Sequence, residues 1–194
     1  MKKQIVAGLV LAALSSTAAL AQEGPLMVRA RAVNLDSSNG DSTGLGLSVN
    51  NKVIPEVDFT YFFDKNWAAE LVLTVPQKHT LYSSGAAIGS LKHLPPTLLL
   101  QYHFDLGGAK PYVGAGLNYT RFTSVSAPAG VDIQRSSVGA ALQVGVDFPI
   151  AKGMYLNVDV KKVYIDTDVS AGGTKIGTFK VDPVLFGIGI GWRF

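Results

Sequence analysis

No cysteine occurs among the 194 residues. Disulfide scaffolds, thiolate-bound zinc and thiol nucleophiles are therefore excluded. Charge is scarce as well: Asp, Glu, Lys and Arg make up 16% of the chain, against about 25% in ordinary globular domains. Past residue 21 no apolar run approaches the roughly 20 residues that a membrane-spanning helix needs. What the chain does have is apolar residues, 47% of the total, and 21 glycines. That is too apolar for a disordered chain, and the length suits one domain. A chain that is apolar, poor in charge and without a spanning helix is either a soluble β protein or a membrane β-barrel.

Residues 1–21 have the three parts of a secretory signal peptide: Lys2-Lys3, the apolar stretch Ile5 to Leu14, and Ala19-Leu20-Ala21 as an A-x-A cleavage site. Cleavage is expected between Ala21 and Gln22, leaving 22–194 as the barrel domain. No Cys follows the site, so the protein is not a lipoprotein. Of the 17 basic residues, losing Lys2 and Lys3 leaves 15 against 14 acidic, a net charge of +1. With no basic stripe, and in that compartment, nucleic acid is not an expected partner.

The rest of the sequence alternates apolar and polar residues in eight stretches, roughly 26–35, 52–63, 67–75, 93–104, 110–123, 136–148, 154–165 and 179–194. The connections alternate too. Asp64 to Asn66, Asp105 to Ala109 and Pro149 to Gly153 are short; Asp36 to Asn51, Pro76 to Lys92, Ser124 to Arg135 and Asp166 to Thr178 are long. Three short turns and four long loops among eight strands predict an all-β, eight-stranded antiparallel transmembrane β-barrel of the outer-membrane type. The short turns and both chain ends lie in the periplasm and the long loops outside.

Period 2 assigns the faces. Val184, Phe186, Ile188, Ile190, Trp192 and Phe194 share one face and must meet lipid, because Arg193 on the other cannot do so cheaply. The same logic turns Arg29, Arg31, Glu56, Asp58, Glu70, Gln101, Asp147, Asp159 and Arg193 inward. Opposite charges in a narrow lumen pair, because an unpaired buried charge is costly, so they are expected to form a salt-bridged floor. Tyr61, Phe63, Trp67, Tyr102, Phe104, Phe148, Trp192 and Phe194 lie near the short turns, as an aromatic girdle would. Glycines at alternate positions, such as Gly187, Gly189 and Gly191, leave room inside for long neighbours such as Arg29 and Tyr112.

Three segments carry a family likeness: His93-Leu94-Pro95-Pro96-Thr97 leading into Leu98-Leu99-Leu100-Gln101-Tyr102; Pro111-Tyr112-Val113-Gly114-Ala115-Gly116; and Gln143-Val144-Gly145-Val146-Asp147 with the closing Gly191-Trp192-Arg193-Phe194. Together they resemble the outer membrane protein W (OmpW) family. The resemblance implies a narrow apolar upper lumen that admits small hydrophobic molecules and releases them sideways into the membrane. It implies a constriction at Val72 and at Lys161, where some members carry an aromatic residue; Lys161 pairs with Asp159 or Glu70 as the alternative. Trp192 and Phe194 resemble the terminal signal read by the barrel-assembly machinery.

Other chemistry is thinly represented. His79 shares a long loop with Ser83 and Ser84 but with no acid, so the triad logic of a lipid-modifying enzyme has no anchor. His93 and His103 are roughly 33 Å apart along one strand and cannot share a metal. Asp36, Asn39 and Asp41 in the first long loop are better read as solubilising than as a Ca²⁺ site. The expected function is therefore non-enzymatic and needs no cofactor. It is passive passage of small hydrophobic solutes, with outer-membrane lipid and lipopolysaccharide as surroundings. The alternative is a structural or surface-interaction barrel with a plugged lumen. Val72, Leu99, Lys161 and Val163 are the lumen and gate candidates. Pro76, Pro95 and Pro96, which give no N–H to a ladder, either mark a lateral seam where one or two ladder bonds at most survive or merely stop the strands above the lipid, where no pairing is needed.

Overall fold

The computed structural model describes residues 24–127 and 130–194; the expected signal peptide lies outside them. Fifteen strands follow in chain order: β1 (Leu26–Asp36), β2 (Gly40–Asp41), β3 (Leu47–Val49), β4 (Lys52–Phe62), β5 (Trp67–Thr74), β6 (Gln77–Ser83), β7 (Ala86–Leu94), β8 (Thr97–His103), β9 (Lys110–Ser126), β10 (Val131–Ile133), β11 (Ser136–Ala151), β12 (Met154–Val163), β13 (Asp166–Ala171), β14 (Thr174–Lys180) and β15 (Val184–Arg193). Eight of them, in the order β11-β12-β15-β1-β4-β5-β8-β9, close on themselves through β9–β11 into an antiparallel barrel. The wall is sealed by the two terminal strands, paired from Met27↔Arg193 to Asp36↔Val184. Closure leaves the barrel wall itself without an edge strand.

Period 2 sets the faces as expected. Val53, Val57, Phe59, Tyr61, Leu71, Leu73, Leu142, Val144, Phe186 and Ile188 are exposed on the outside, while Arg29, Arg31, Glu56, Asp58, Glu70, Val72, Gln143 and Asp147 are buried inside. At the short-turn end Trp67 packs edge-on against Tyr102, and Tyr102 against Phe104, with ring centroids 5.0 and 4.9 Å apart.

The four long connections are not loops, and here the expectation is corrected. β6 and β7 form a hairpin paired from Gln77↔His93 to Ser83↔Ala86; β3 adds to β6 and β7 to β9. β10, β13, β14 and β2 make a second sheet above the barrel. The stretch 93–104 accordingly splits at Pro95-Pro96 between β7 and β8, and 179–194 splits between β14 and β15. Among the described side chains no exposed large apolar residue falls between 77 and 94, so the β6–β7 hairpin stands above the lipid-facing belt.

One apolar core runs from the upper barrel, where it contains Val33, Leu35, Ile54, Val72, Leu99 and Val163, up among the extracellular strands at Leu47, Leu81, Leu91, Phe122, Val169 and Phe179. A smaller cluster of Met27, Phe62, Ala68 and Tyr155 lies at the periplasmic end. Between the two sits a polar layer. It needs space, which bare backbone provides: a Cβ on Gly145 would lie 2.3 Å from the Tyr112 ring, and one on Gly191 would lie 3.1 Å from Arg29 Cγ.

Candidate functional site: a layered lumen

The polar layer is built on the Arg29 and Arg31 guanidiniums of β1. Register places Asp58 and Glu56 of β4 directly opposite them. Arg29 pairs with Asp147 at 2.6 Å and Asp58 at 3.1 Å, and donates to Thr60 at 2.7 Å. Arg31 pairs with Asp58 at 2.5 Å, Glu70 at 2.8 Å and Glu56 at 2.9 Å. Gln101 and Gln143 donate to Glu70 at 2.9 and 2.7 Å, and Gln143 to Asp159 at 2.8 Å. Tyr112 donates to Asp159 at 3.2 Å, and Asn157 to Asp147 at 2.8 Å. The layer thus brings together seven of the eight expected floor charges with Gln101. Arg193 is the correction. It lies lower, its guanidinium 3.8 Å from the centroid of the Phe62 ring and its Nε donating to the Gly24 carbonyl at 2.9 Å. There it lines a cavity of about 500 Å³ at the periplasmic mouth with Phe62, His103 and Lys110.

Lys161 completes the layer from above, paired with Glu56 at 2.9 Å and with Asp159. Of the two alternatives, Asp159 is a partner; in place of Glu70 the second is Glu56. Burying these charges is costly, but each finds counter-charges and donors, and a matched network of this kind resists the loss of any one member.

Above this layer lies a narrow cleft of about 20 Å³, room for little more than one water-sized sphere. Leu35, Ile54, Val72, Val163, Ile165 and Leu185 make its apolar walls, Glu56 and Lys161 its base, and Thr74, His93, Pro95 and Thr97 one side. Val72, Lys161 and Val163 therefore meet at the cleft. Leu99 is buried in the same core but is not among the residues that line the cleft.

The three prolines do gather at one place. The β5–β8 ladder ends at Val72↔Thr97 and resumes as β6–β7 at Gln77↔His93. Between these pairs, residues 73–76 on one side and 94–96 on the other make no ladder pair with each other, within the expected limit of one or two bonds. The seam is also bounded above by the hairpin, so it is a window rather than an open slot. On its far side the wall holds, since Tyr119 donates its N–H to the Pro96 carbonyl at 3.0 Å.

One pair carries no signature in the sequence. His79 and His93 stack face to face, ring centroids 4.7 Å apart and 12° from parallel, and both are buried. His79 Nδ1 lies 2.9 Å from the Asn50 carbonyl, a contact in which Nδ1–H must donate, leaving Nε2 its lone pair. Burial pushes both rings below the ordinary histidine range, His93 to about 3 with the help of His79 beside it. Ser83, the serine nearest the enzyme reading, donates its hydroxyl to the Leu45 carbonyl at 2.6 Å. Asp41 accepts from the Thr43 and Leu47 backbone N–H groups, and Asp36 from Asn51, which is turn-holding work.

Comparison with known proteins agrees with this architecture. A family model described as the OmpW family matches residues 22–194. The chain is 40% identical over 184 residues to outer-membrane protein y4mB of Sinorhizobium fredii, spanning 88% of this chain and 80% of that one. It is 34% identical over 212 residues to outer membrane protein W of Escherichia coli, covering 100% of both. The crystal structure of the outer membrane protein OprG from Pseudomonas aeruginosa is similar with a TM-score of 0.77 at 28% identity, over 89% of this chain and 97% of that one.

Proposed function

Because the chain belongs to the OmpW family of outer-membrane β-barrels, we propose that it is a non-catalytic conduit by which small apolar molecules cross the lipopolysaccharide leaflet and leave sideways into the membrane. One observation carries this reading. The apolar cleft is shut below by the Glu56–Lys161 ion pair, and its side wall includes Thr74 and Pro95, which flank the break in the ladder. A solute that cannot pass a buried ion network without losing apolar contact has its easiest way out through a wall that lacks hydrogen bonds. Val72, Val163 and the stem of Lys161 then act as the constriction, and Pro76, Pro95 and Pro96 hold the window open. The charges from Arg29 to Asp159 act as the floor. On this reading the chain matures by loss of residues 1–21, so that the purified protein begins at Gln22. It is handed to the membrane by the barrel-assembly machinery through Trp192 and Phe194.

The test is a Cys pair replacing Leu73 and Pro96, opposite each other across the window; no native Cys interferes. Oxidation is expected to stop uptake of a small hydrocarbon into vesicles carrying the folded barrel, and reduction to restore it. Equal uptake by the oxidised and reduced barrels would refute lateral exit.

A second reading, a surface-interaction barrel with a plugged lumen, draws on the narrowness of the cleft and on the core that continues unbroken into the extracellular sheets. That reading predicts no uptake in either redox state.

A further inference from the structure

The cleft is not uniformly apolar. Two of the residues that line it, Thr74 and His93, each carry a buried polar atom, Thr74 Oγ1 and His93 Nε2, with no hydrogen-bond partner among the described residues. His93 is 2% exposed. Nearly every buried polar group in a folded protein is satisfied, because leaving one unpaired forfeits its solvation. The other polar groups on that side obey the rule: Thr97 donates to the Pro95 carbonyl at 3.3 Å, and Asn118 donates to Thr97 Oγ1 at 2.9 Å and to the Pro96 carbonyl at 3.2 Å. At the base, Glu56 and Lys161 satisfy each other. The two orphans stand apart from this network. They flank the seam from opposite strands, Thr74 at the top of β5 and His93 at the foot of the β6–β7 ladder. Stacking on His79 fixes the His93 ring from behind.

We infer that the cleft is selective for small apolar molecules bearing one neutral hydrogen-bonding group, the class of simple phenols and alcohols, whose hydroxyl is received by His93 Nε2 and Thr74 Oγ1. This rests on the cleft being the solute's path and on its walls parting as a solute enters, since at rest it holds little more than one water-sized sphere. A hydroxyl suits both orphans because it donates and accepts at once, as does the threonine hydroxyl, while a neutral imidazole nitrogen does either. A hydrocarbon of the same size leaves both atoms unpaired. A carboxylate or ammonium would bring an unpaired charge into apolar walls. Sites built to pair a substrate hydroxyl discriminate strongly against the analogue that lacks it.

The test is a titration of the full mature barrel in lipid nanodiscs, ¹⁵N-labelled at histidine and ¹³C-labelled at Val and Leu methyls, with p-cresol and with toluene. Each affinity is corrected for the probe's own partition into lipid. The expected result is that both probes shift the Val72 and Val163 methyls, and that p-cresol alone shifts the His93 imidazole nitrogen. After correction p-cresol should bind about tenfold more tightly, the worth of one well-placed hydrogen bond. In Thr74→Val and in His93→Leu the two affinities should converge to within about twofold. Two variants are used so that misfolding of one, seen as loss of the dispersed methyl spectrum, leaves the other decisive. If the two probes bind the unaltered barrel equally, or both leave His93 untouched, selectivity is refuted while the conduit stands. If neither probe shifts the Val72 or Val163 methyls, conduit and selectivity fall together.

Discussion

Arg29 on β1 and Asp147 on β11 meet inside the barrel through two contacts, Nη2 to Oδ2 at 2.6 Å and Nε to Oδ1 at 3.2 Å, although 118 residues separate them in the chain. Their strands are not neighbours, since β15 and β12 lie between them in the wall. The pair is therefore a cross-tie rather than a ladder contact. The two-point geometry is the one that best matches a guanidinium to a carboxylate.

Replacing Arg29 by Met should break this tie and leave Asp147 and Asp58 short of a counter-charge. Loss of one partner from a buried pair costs about 3–5 kcal/mol. The expected outcome is a lower urea midpoint for unfolding from lipid vesicles. The double change Arg29→Met with Asp147→Leu should recover part of the loss, because it removes the orphaned carboxylate as well.

Gly145→Ala should destabilise the barrel by about 1–3 kcal/mol, the usual range for overpacking. The added Cβ would sit 2.3 Å from the Tyr112 ring. The ring cannot easily yield, because its hydroxyl donates to Asp159 and accepts from Asn157 at 3.0 Å. Adding Tyr112→Leu should make the alanine nearly free of cost, and the same unfolding measurement would show that non-additivity.

The stacked histidines make the extracellular hairpin sensitive to acid. When the hairpin opens, each ring takes up a proton near the ordinary pKa of about 6.5. In the folded hairpin His93 does so only near 3, and His79 is lowered too. The open form thus binds more protons between these limits, so stability falls as pH drops from about 6.5 toward 3 and is unaffected above. Hydrogen exchange of the β6 and β7 amides should accelerate at pH 5 relative to pH 7.5, beyond the intrinsic rate change. His93→Phe, which keeps a ring but not the charge, should flatten that slope.

Removing Phe194 should impair assembly more than solute passage. Its N–H donates to the Leu26 carbonyl at 2.8 Å and its carbonyl accepts from Leu26 N–H at 3.4 Å, at the end of the seam that joins the first and last strands of the barrel. The expected outcome is a weaker fast-migrating band on an unboiled gel, with uptake per folded barrel unchanged.

The barrel wall was legible because lipid on one side and a crowded lumen on the other impose a strict two-residue period. The same parity brings Arg29, Arg31 and their carboxylates to one layer. Parity fixes a face and not a height, which is why Arg193 lies one level lower than the sequence suggests and why, of the two partners expected for Lys161, Asp159 holds while Glu56 stands in place of Glu70. Height depends on the stagger between strands, and that is not written in either strand alone. The β6–β7 hairpin escaped notice because above the lipid the outer face is polar, at Lys78 and Lys92, while the inner face also carries polar residues, at Gln77, His79 and His93. Without apolar alternation, a strand reads as a loop, and the stacking of His79 on His93 was hidden with it.

The unpaired stretch beside Pro76 holds four residues on one strand against three on the other. Below it the inward positions of that strand are even-numbered, Ala68, Glu70 and Val72; above it they are odd, Gln77, His79 and Leu81. The wall and the hairpin are thus two pleated sheets joined out of phase, with the prolines absorbing the mismatch. A single-residue deletion between Thr74 and Gln77 would remove the extra residue and bring the two pleats into phase, so that His79 and Leu81 stay inward on a regular strand. A deletion of two would restore the mismatch.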